Sequence, residues 1–223
     1  MDSQKIVSMI DHTLLKPDVK EDQIHKLCEE AKTYRFASVC INPYWVPLAK
    51  KNLQNSDIMV CTVIGFPLGI NTKEVKAFET KNAVENGADE IDMVMNIGAF
   101  KSGSDQDVKE DIQAVVAAAQ GKTVKVILET GLLNESEIKR ASQIAKEAGA
   151  HFVKTSTGFG YGGATVEAVR AMRETVGPSL GVKASGGVRD LASAEQMVDA
   201  GANRLGASSG VAIAKRERAD SSY

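Results

Sequence analysis

The feature that most constrains this 223-residue chain is the alternation of short apolar runs with amphipathic stretches. The apolar runs are rich in Val and Ile and end at turn-forming residues, which is typical of β-strands. They cover 36–41, 58–64, 89–95, 124–129, 151–156, 180–184 and 203–207, with a shorter candidate at Ile10–Leu14. Helical spacing of apolar residues lies between them, over 21–33, 44–54, 72–86, 104–120, 134–148, 164–175 and 191–200. The pattern predicts eight successive βα units.

Eight βα units favour an α/β protein of one domain, a closed (β/α)₈ TIM barrel over residues 1–223 with a short N-terminal helix. The alternative is an open, doubly wound sheet, which usually carries a glycine-rich turn after its first strand. Here Asn42-Pro43-Tyr44 follows the first strong strand. We expect the polar residues 215–223 to form a mobile C-terminal tail.

The charge balance argues against two classes of partner. The net charge of −2 and the aromatic content of 5% are unlike those of proteins that bind nucleic acid or anionic membranes. The N-terminus resembles no secretory signal, and no apolar run approaches the ~20 residues that span a bilayer. The three cysteines indicate neither a disulfide framework nor a zinc site. We therefore expect a cytoplasmic protein with no membrane or nucleic-acid partner.

Two lysines occupy matching positions near the ends of neighbouring predicted strands. Lys154 lies in HFVKTSTG and Lys183 in LGVKASGG. If both point into a barrel, burial and mutual repulsion favour a neutral amine, which can attack a carbonyl and form a Schiff base. The alternative is a solvated lysine at a strand end, the interpretation we give Lys125 at the start of its strand.

Two acidic residues accompany the lysines. Alternation along DEIDMVM places Asp92 on the same face as Glu90 and Val94, and this polar face is expected to point inward, where Asp92 can move protons. Asp11 in IDHTLL is either a substrate contact or a cap. The histidines, His12, His25 and His151, lack the spacing of metal ligands, so we predict no metal site.

Glycine and serine cluster after the last three strands, at 156–163, 185–189 and 206–210. Such loops present backbone N–H groups to anions, and barrel enzymes often bind phosphate there. We therefore predict a phosphate site. Its candidate residues are Gly158, Gly186, Gly187, Arg189, Ser208 and Ser209.

The motifs IDHTLLKP, EIDMVMNIG, FVKTSTG, VKASGGVR and GASSG, in this order and at this spacing, resemble those of the deoxyribose-phosphate aldolases over nearly the whole chain. The resemblance implies a class I aldolase that needs no metal or organic cofactor. Its substrate would be a small phosphorylated sugar, 2-deoxy-D-ribose 5-phosphate. Its products would be D-glyceraldehyde 3-phosphate and acetaldehyde. It also implies a role in deoxyribonucleotide catabolism and a monomer or homodimer.

By position, the resemblance makes Lys154 the Schiff-base lysine, Lys183 the second lysine that perturbs it, and Asp92 the proton-shuttling carboxylate. Tyr223 matches a tyrosine that assists proton exchange in some members. One position departs from the family: Phe159 stands where some members carry a phosphate-binding lysine. This departure predicts weaker discrimination for phosphate with an unchanged reaction.

Two other functions fit the same sequence. The first is a phosphate-binding barrel isomerase or epimerase without a covalent step, and the second is a non-enzymatic regulator that binds a sugar phosphate. Covalent trapping at Lys154 separates the aldolase from the isomerase, and loss of turnover on substitution of Lys154 separates it from the regulator.

Overall fold

The computed structural model describes residues 3–219, in which eight parallel strands close into a barrel. Each strand pairs with the next along the chain, and the eighth pairs with the first. The strands are β1 Ile10–Leu14, β2 Ser38–Ile41, β3 Met59–Ile64, β4 Glu90–Val94, β5 Thr123–Ile127, β6 Phe152–Lys154, β7 Gly181–Ser185 and β8 Arg204–Ala207. The predicted (β/α)₈ barrel is confirmed, and the open sheet is wrong.

The helices lie on the outside of this barrel. They are α1 Ser3–Val7, α2 Glu21–Tyr34, α3 Val46–Asn52, α4 Lys73–Glu85, α5 Ile97–Lys101, α6 Asp105–Ala118, α7 Glu135–Glu147, α8 Val166–Val176, α9 Leu191–Asp199 and α10 Gly210–Lys215. The predicted N-terminal helix is α1. Sequence periodicity missed α5, because five residues are too few to show it; this helix begins where the Asn96 side chain accepts from the Ala99 N–H. Within residues 3–219, no helix is both long and apolar enough to cross a membrane.

Three helix ends share one turn chemistry. Gly87, Gly149 and Gly201 have φ of 106°, 88° and 115°, a region that side chains rarely adopt. In each case the alanine after the glycine donates its N–H five residues back into the helix, as in a Schellman motif. The motif turns the chain directly into β4, β6 and β8. The glycine-alanine pairs thus set where these three strands begin.

The two faces of the barrel wall differ in chemistry. Outward residues such as Ile91, Met93 and Val126 are fully buried in the apolar layer between barrel and helices. Inward positions of the same strands carry charged side chains, including Glu90 and Asp92. The apolar layer therefore stabilises the fold, while the barrel interior holds the charged side chains that can take part in a reaction.

The C-terminal segment departs from regular structure after Lys215. The Glu217 N–H donates to Ala212 O, and the Ala219 N–H donates to Arg189 O at 3.2 Å. Tyr223 lies outside the described residues. The mobile tail over 215–223 stays a prediction.

Candidate active site

Lys154 and Lys183 lie side by side on adjacent strands of the barrel, as their matched positions predicted. They are register partners, with Lys154 at the carboxyl end of β6 and Lys183 in the middle of β7. Both ammonium groups donate to the same oxygen of Asp92, Oδ2, at 2.7 Å and 2.8 Å. Asp92 is fully buried, and only 3% of the Lys154 side chain is exposed. The structure thus brings the three predicted catalytic residues into one contact.

Lys125 is also part of this contact, and the prediction that it is solvated is wrong. Its side chain is fully buried, and its Nζ donates to Asp92 Oδ1 at 2.9 Å and to Glu90 Oε2 at 2.6 Å. The reason is the register, since Lys125 pairs directly with Asp92 on the neighbouring strand. The same alternation that turns Asp92 inward therefore turns Lys125 inward.

Asp11 and Arg204 complete the cluster from the first and last strands. Asp11 is fully buried, and it accepts from Lys183 and from Ser38 Oγ at 2.7 Å. Arg204 ion-pairs with Asp11, Nε to Oδ1 at 2.8 Å, and with Glu90. Asp11 therefore lies beside Lys183 inside the barrel, and its predicted contact with substrate stays a prediction.

The cluster contains more cations than carboxylates. Its cations are Lys125, Lys154, Lys183 and Arg204, and its carboxylates are Asp11, Glu90 and Asp92. Each of the other cations lies near two or three of these carboxylates, whereas within residues 3–219 the Lys154 ammonium group ion-pairs with Asp92 alone. Lys154 is thus the cation with the fewest ion-pair partners in the cluster.

Opposite charges within the cluster hold Asp92, Lys183 and Lys125 in their charged forms. Burial alone would raise the pKa of Asp92, but Lys125, Lys154 and Lys183 outweigh it and keep this pKa well below its usual range. Burial would likewise lower the pKa of Lys183, yet Asp11 and Asp92 raise it. Burial also opposes the charge of Lys125, and Asp92 leads the interactions that raise its pKa well above normal. Asp92 is thus an ionised base between ammonium groups.

Lys125→Met tests whether this lysine belongs to the buried ion-pair network. The change removes a buried cation that contacts both Asp92 and Glu90, and breaking a buried ion pair costs about 3–5 kcal/mol. We expect urea denaturation to show a loss of that order in the free energy of unfolding. Lys122→Met, at a largely exposed lysine before β5, is the matched control and should change stability by less than ~0.5 kcal/mol. Equal effects of the two substitutions would contradict the buried network.

Two groups of buried side chains have the spacing of metal ligands within the described residues. One joins Cys40, Cys61 and Asp92, and the other joins Asp11, Cys61 and Glu90. Their carboxylates already accept from lysine or arginine, and these cations would repel a metal ion. The donor set fits an internal ion-pair network better than a metal centre, and the absence of a metal site stays a prediction.

The glycine- and serine-rich loops after β6, β7 and β8 are tied together by hydrogen bonds. Thr155 Oγ1 donates to Ser185 O, and Ser185 Oγ donates to Ser156 O at 2.6 Å. Ser209 Oγ donates to Val188 O at 2.7 Å, which connects the β8 loop to the β7 loop. The clusters 156–163, 185–189 and 206–210 therefore form one continuous rim at the carboxyl end of the barrel.

The predicted phosphate residues lie along this rim with different exposure. Gly186 and Ser209 are buried, Gly158 and Ser208 are partly buried, and Gly187 and Arg189 are exposed. Gly186 has φ of 82°, and a Cβ there would lie 2.9 Å from the Gly163 Cα. Glycine is therefore required at this position by both conformation and space.

Phe159 lies beside a cavity at the same end of the barrel. Its ring meets that of Phe66 edge to face, with centroids 5.1 Å apart, and both pack on the inner apolar layer that contains Cys40 and Cys61. The cavity, of about 650 Å³, is lined mainly by apolar side chains that include Leu15, Phe66 and Phe159. Phe159 therefore contributes to an apolar wall at this end of the barrel.

The sequence interpretation missed Glu129, the second residue after the end of β5. Its carboxylate is 1% exposed and accepts from the Thr157 hydroxyl at 2.5 Å. Burial raises the pKa of Glu129 despite these hydrogen bonds. The signal that could have found it is an acid in the apolar run VILE, at the end of a strand where barrel enzymes place functional groups.

Comparisons with known proteins agree with this geometry. The model of the DeoC/LacD family aldolases matches residues 5–216. The chain is 64% identical to a deoxyribose-phosphate aldolase of Halalkalibacterium halodurans over 223 residues, covering 99% of this chain and 100% of that protein. A Geobacillus protein of the same name is 63% identical over 219 residues and covers 98% of both chains.

Solved structures give the same result. A putative deoxyribose-phosphate aldolase from Coccidioides immitis superposes with a TM-score of 0.94 at 43% identity, covering 96% of this chain and 86% of that one. A tetrameric deoxyribose phosphate aldolase from Aeropyrum pernix superposes with a TM-score of 0.90 at 34% identity, covering 96% and 91%. The fold, the lysine pair on one carboxylate and these matches agree, and the chain belongs to the DeoC/LacD family of aldolases.

Proposed function

We propose that this aldolase cleaves 2-deoxy-D-ribose 5-phosphate reversibly to D-glyceraldehyde 3-phosphate and acetaldehyde through a Schiff base. The observation that carries the proposal is the pair of buried lysines that share Asp92 Oδ2, with Lys154 at the carboxyl end of β6 and Lys183 in the middle of β7. A neutral lysine at this end of a barrel is a nucleophile for carbonyl groups. Relatives of about 60% identity bear the name of this activity.

Lys154 is the proposed nucleophile, and its contacts support the choice. Lys183 is held as an ammonium by Asp11 and Asp92, and Lys125 is held by Asp92 and Glu90. Either of these lysines would have to leave two carboxylates to attack a substrate. Lys154 gives up one such contact, the fewest of the three lysines.

The chemistry proceeds in balanced steps. The Lys154 nitrogen adds to the C1 aldehyde of the open-chain sugar, and loss of water gives a protonated imine. A base removes the proton of the C3 hydroxyl, the C2–C3 bond breaks, and its electron pair moves into the imine to give an enamine. Glyceraldehyde 3-phosphate leaves, C2 of the enamine takes up a proton, and water releases acetaldehyde and the free amine.

Asp92 and Lys183 are the proposed proton carriers. Asp92 Oδ2 touches both Nζ atoms, so it can accept a proton from one and return it to the other without moving the backbone. Lys183 remains cationic through its two carboxylates, and its ammonium group lies beside the Asp92 oxygen that also contacts Lys154. Tyr223 as a further proton donor is a proposal from the family resemblance.

The late rim is the proposed phosphate site, with Gly158, Gly186, Gly187, Ser208 and Ser209 supplying amides and hydroxyls. Arg189 is exposed on the same rim and adds a positive charge. Phe159 supplies no charge, which supports weaker discrimination between phosphorylated and unphosphorylated sugars. A monomer or homodimer in the cytoplasm also remains our proposal.

Gly186→Ala tests the phosphate site. A Cβ at this position would be strained by the positive φ and would press on the backbone of Gly163, a local cost of about 1–3 kcal/mol. We expect the KM for the phosphorylated sugar and the Ki of inorganic phosphate to rise about tenfold, with kcat much less affected. The matched control is Gly121→Ala, before β5. Gly121 also has a positive φ, but a Cβ there would meet no atom within 4 Å. Unchanged phosphate inhibition in Gly186→Ala would contradict the assignment.

The function itself is tested by product analysis. Incubation with 2-deoxy-D-ribose 5-phosphate should release glyceraldehyde 3-phosphate and acetaldehyde in equal amounts, measured by coupled reduction of each product. An isomerase or epimerase would instead convert the sugar phosphate without releasing a two-carbon aldehyde. A regulator would bind the sugar phosphate and leave it intact.

A further inference from the structure

Glu129 lies in a bulge where the segments that follow β5 and β6 pair with each other. The Leu128 N–H donates to Lys154 O and the Thr130 N–H donates to Thr155 O, each at 2.9 Å. Residues two apart thus pair with adjacent carbonyls, and Glu129 is the extra residue between them. Its φ of 57° and ψ of 62° are left-handed, which is costly for a residue other than glycine. Such strain next to an active site commonly serves to aim a side chain.

The bulge aims the Glu129 carboxylate at the loop after β6. Glu129 Oε2 accepts from Thr157 Oγ1 at 2.5 Å, and the Thr157 N–H lies 3.3 Å from both carboxylate oxygens. Thr157 Oγ1 in turn accepts from the Phe159 N–H at 3.1 Å. Because the hydroxyl proton is committed to Glu129, the threonine oxygen is oriented as an acceptor for Phe159.

These contacts leave one amide of the segment available. The N–H groups of Thr157 and Phe159 both have internal acceptors, whereas the Gly158 N–H between them has no acceptor among residues 3–219. Gly158 has φ of 84°, so the chain reverses its peptide orientation there. The amide therefore stands on a loop whose neighbouring peptides are fixed by Glu129.

We propose that Glu129 is a positioning residue for the substrate phosphate: through Thr157 it fixes the peptides around Gly158 so that the Gly158 N–H points at the phosphate. This inference rests on the proposed function, because it assumes that the rim binds a phosphorylated sugar. Glu129 itself touches neither substrate nor the reacting lysine. Its effect is on the recognition of the phosphorylated end of the substrate.

A carboxylate suits this role better than an amide. A carboxylate only accepts hydrogen bonds and has two oxygens, so it can receive both the N–H and the O–H of Thr157. A glutamine has one accepting oxygen, and its NH₂ would face one of these donors. Glu129→Gln is therefore close in shape while removing part of the contact.

The test compares two substrates that differ only in the phosphate. Steady-state constants are measured for 2-deoxy-D-ribose 5-phosphate and for 2-deoxy-D-ribose with the wild type, Glu129→Gln and Thr157→Val. Glu135→Gln, an exposed glutamate in the first turn of α7, is the matched control. Inhibition by inorganic phosphate gives a second measure of the same site without chemistry.

We expect the KM for the phosphorylated sugar and the Ki of inorganic phosphate to rise about tenfold or more in Glu129→Gln and Thr157→Val, the loss expected for a hydrogen bond to a charged group. Their kcat should stay within about threefold, and kcat/KM for the unphosphorylated sugar should match that of the control. An equal loss for both sugars would show a structural role only and overturn the proposal, as would unchanged phosphate affinity in both variants. A wild type that cleaves neither sugar would instead refute the proposed function.

Discussion

Lys154→Leu is expected to lose turnover by at least about 10⁴-fold while the protein remains folded. The nucleophile is the one group that the covalent route cannot replace, and loss of a nucleophile typically removes most of an enzyme's rate enhancement. The folded state should survive because Lys125 and Lys183 remain in contact with Asp92. Coupled assays with the phosphorylated sugar and urea denaturation measure the two effects separately.

Two further variants sharpen this prediction. Lys154→Arg keeps a cation beside Asp92, but a guanidinium stays protonated and does not form the imine. This variant should therefore be as inactive as the leucine variant. Lys81→Leu, at an exposed lysine of α4, should retain wild-type turnover. Appreciable cleavage by both Lys154 variants would mean that another group forms the covalent intermediate or that none forms.

Asp92→Asn is expected to damage both stability and rate. The carboxylate accepts from Lys125 at 2.9 Å, from Lys154 at 2.7 Å and from Lys183 at 2.8 Å, and an asparagine leaves these cations without their shared counter-charge. Removing one partner of a buried ion pair costs about 3–5 kcal/mol. Loss of a positioned acid-base group lowers kcat by about 10²–10⁴-fold. Chemical denaturation and steady-state kinetics measure the two effects, with the exposed Asp199→Asn as control.

The stability difference should depend on pH in a defined direction. The pKa of Asp92 in the folded protein lies well below its usual range, so the ionised carboxylate stabilises the fold above the unfolded pKa of about 3.9. This contribution is lost as pH falls below that value toward the folded pKa. The gap between wild type and Asp92→Asn should therefore be widest at neutral pH and narrow in acid. A gap that stayed constant through this range would contradict the ionised state of Asp92.

The barrel could be predicted because period-2 and period-3.6 patterns determine which segments are strands and helices. The matching settings of Lys154 and Lys183 identified them as neighbours, and alternation along β4 placed Asp92 in the interior. These inferences use one strand at a time or two that follow each other in the chain. They succeeded where the chemistry lies within such local patterns.

The rest of the site depends on register and backbone conformation, which the sequence pattern does not specify. Lys125 becomes buried because β5 pairs with β4 so that Lys125 stands opposite Asp92. Glu129 reaches Thr157 because its backbone is left-handed, a conformation that no residue type in that segment demands. Arg204 joins the cluster because the barrel closes and brings β8 beside β1.

The most direct test of the account is reduction of the enzyme–substrate mixture with borohydride, followed by intact-mass measurement and peptide mapping. Incubation with 2-deoxy-D-ribose 5-phosphate should leave one reduced adduct per chain, either the whole sugar phosphate or an ethyl group from the acetaldehyde fragment, on the peptide that contains Lys154. The adduct should be absent without substrate and absent in Lys154→Leu. A stable adduct on Lys183 or Lys125, or no adduct during full turnover, would contradict the assignment of Lys154 as the Schiff-base lysine.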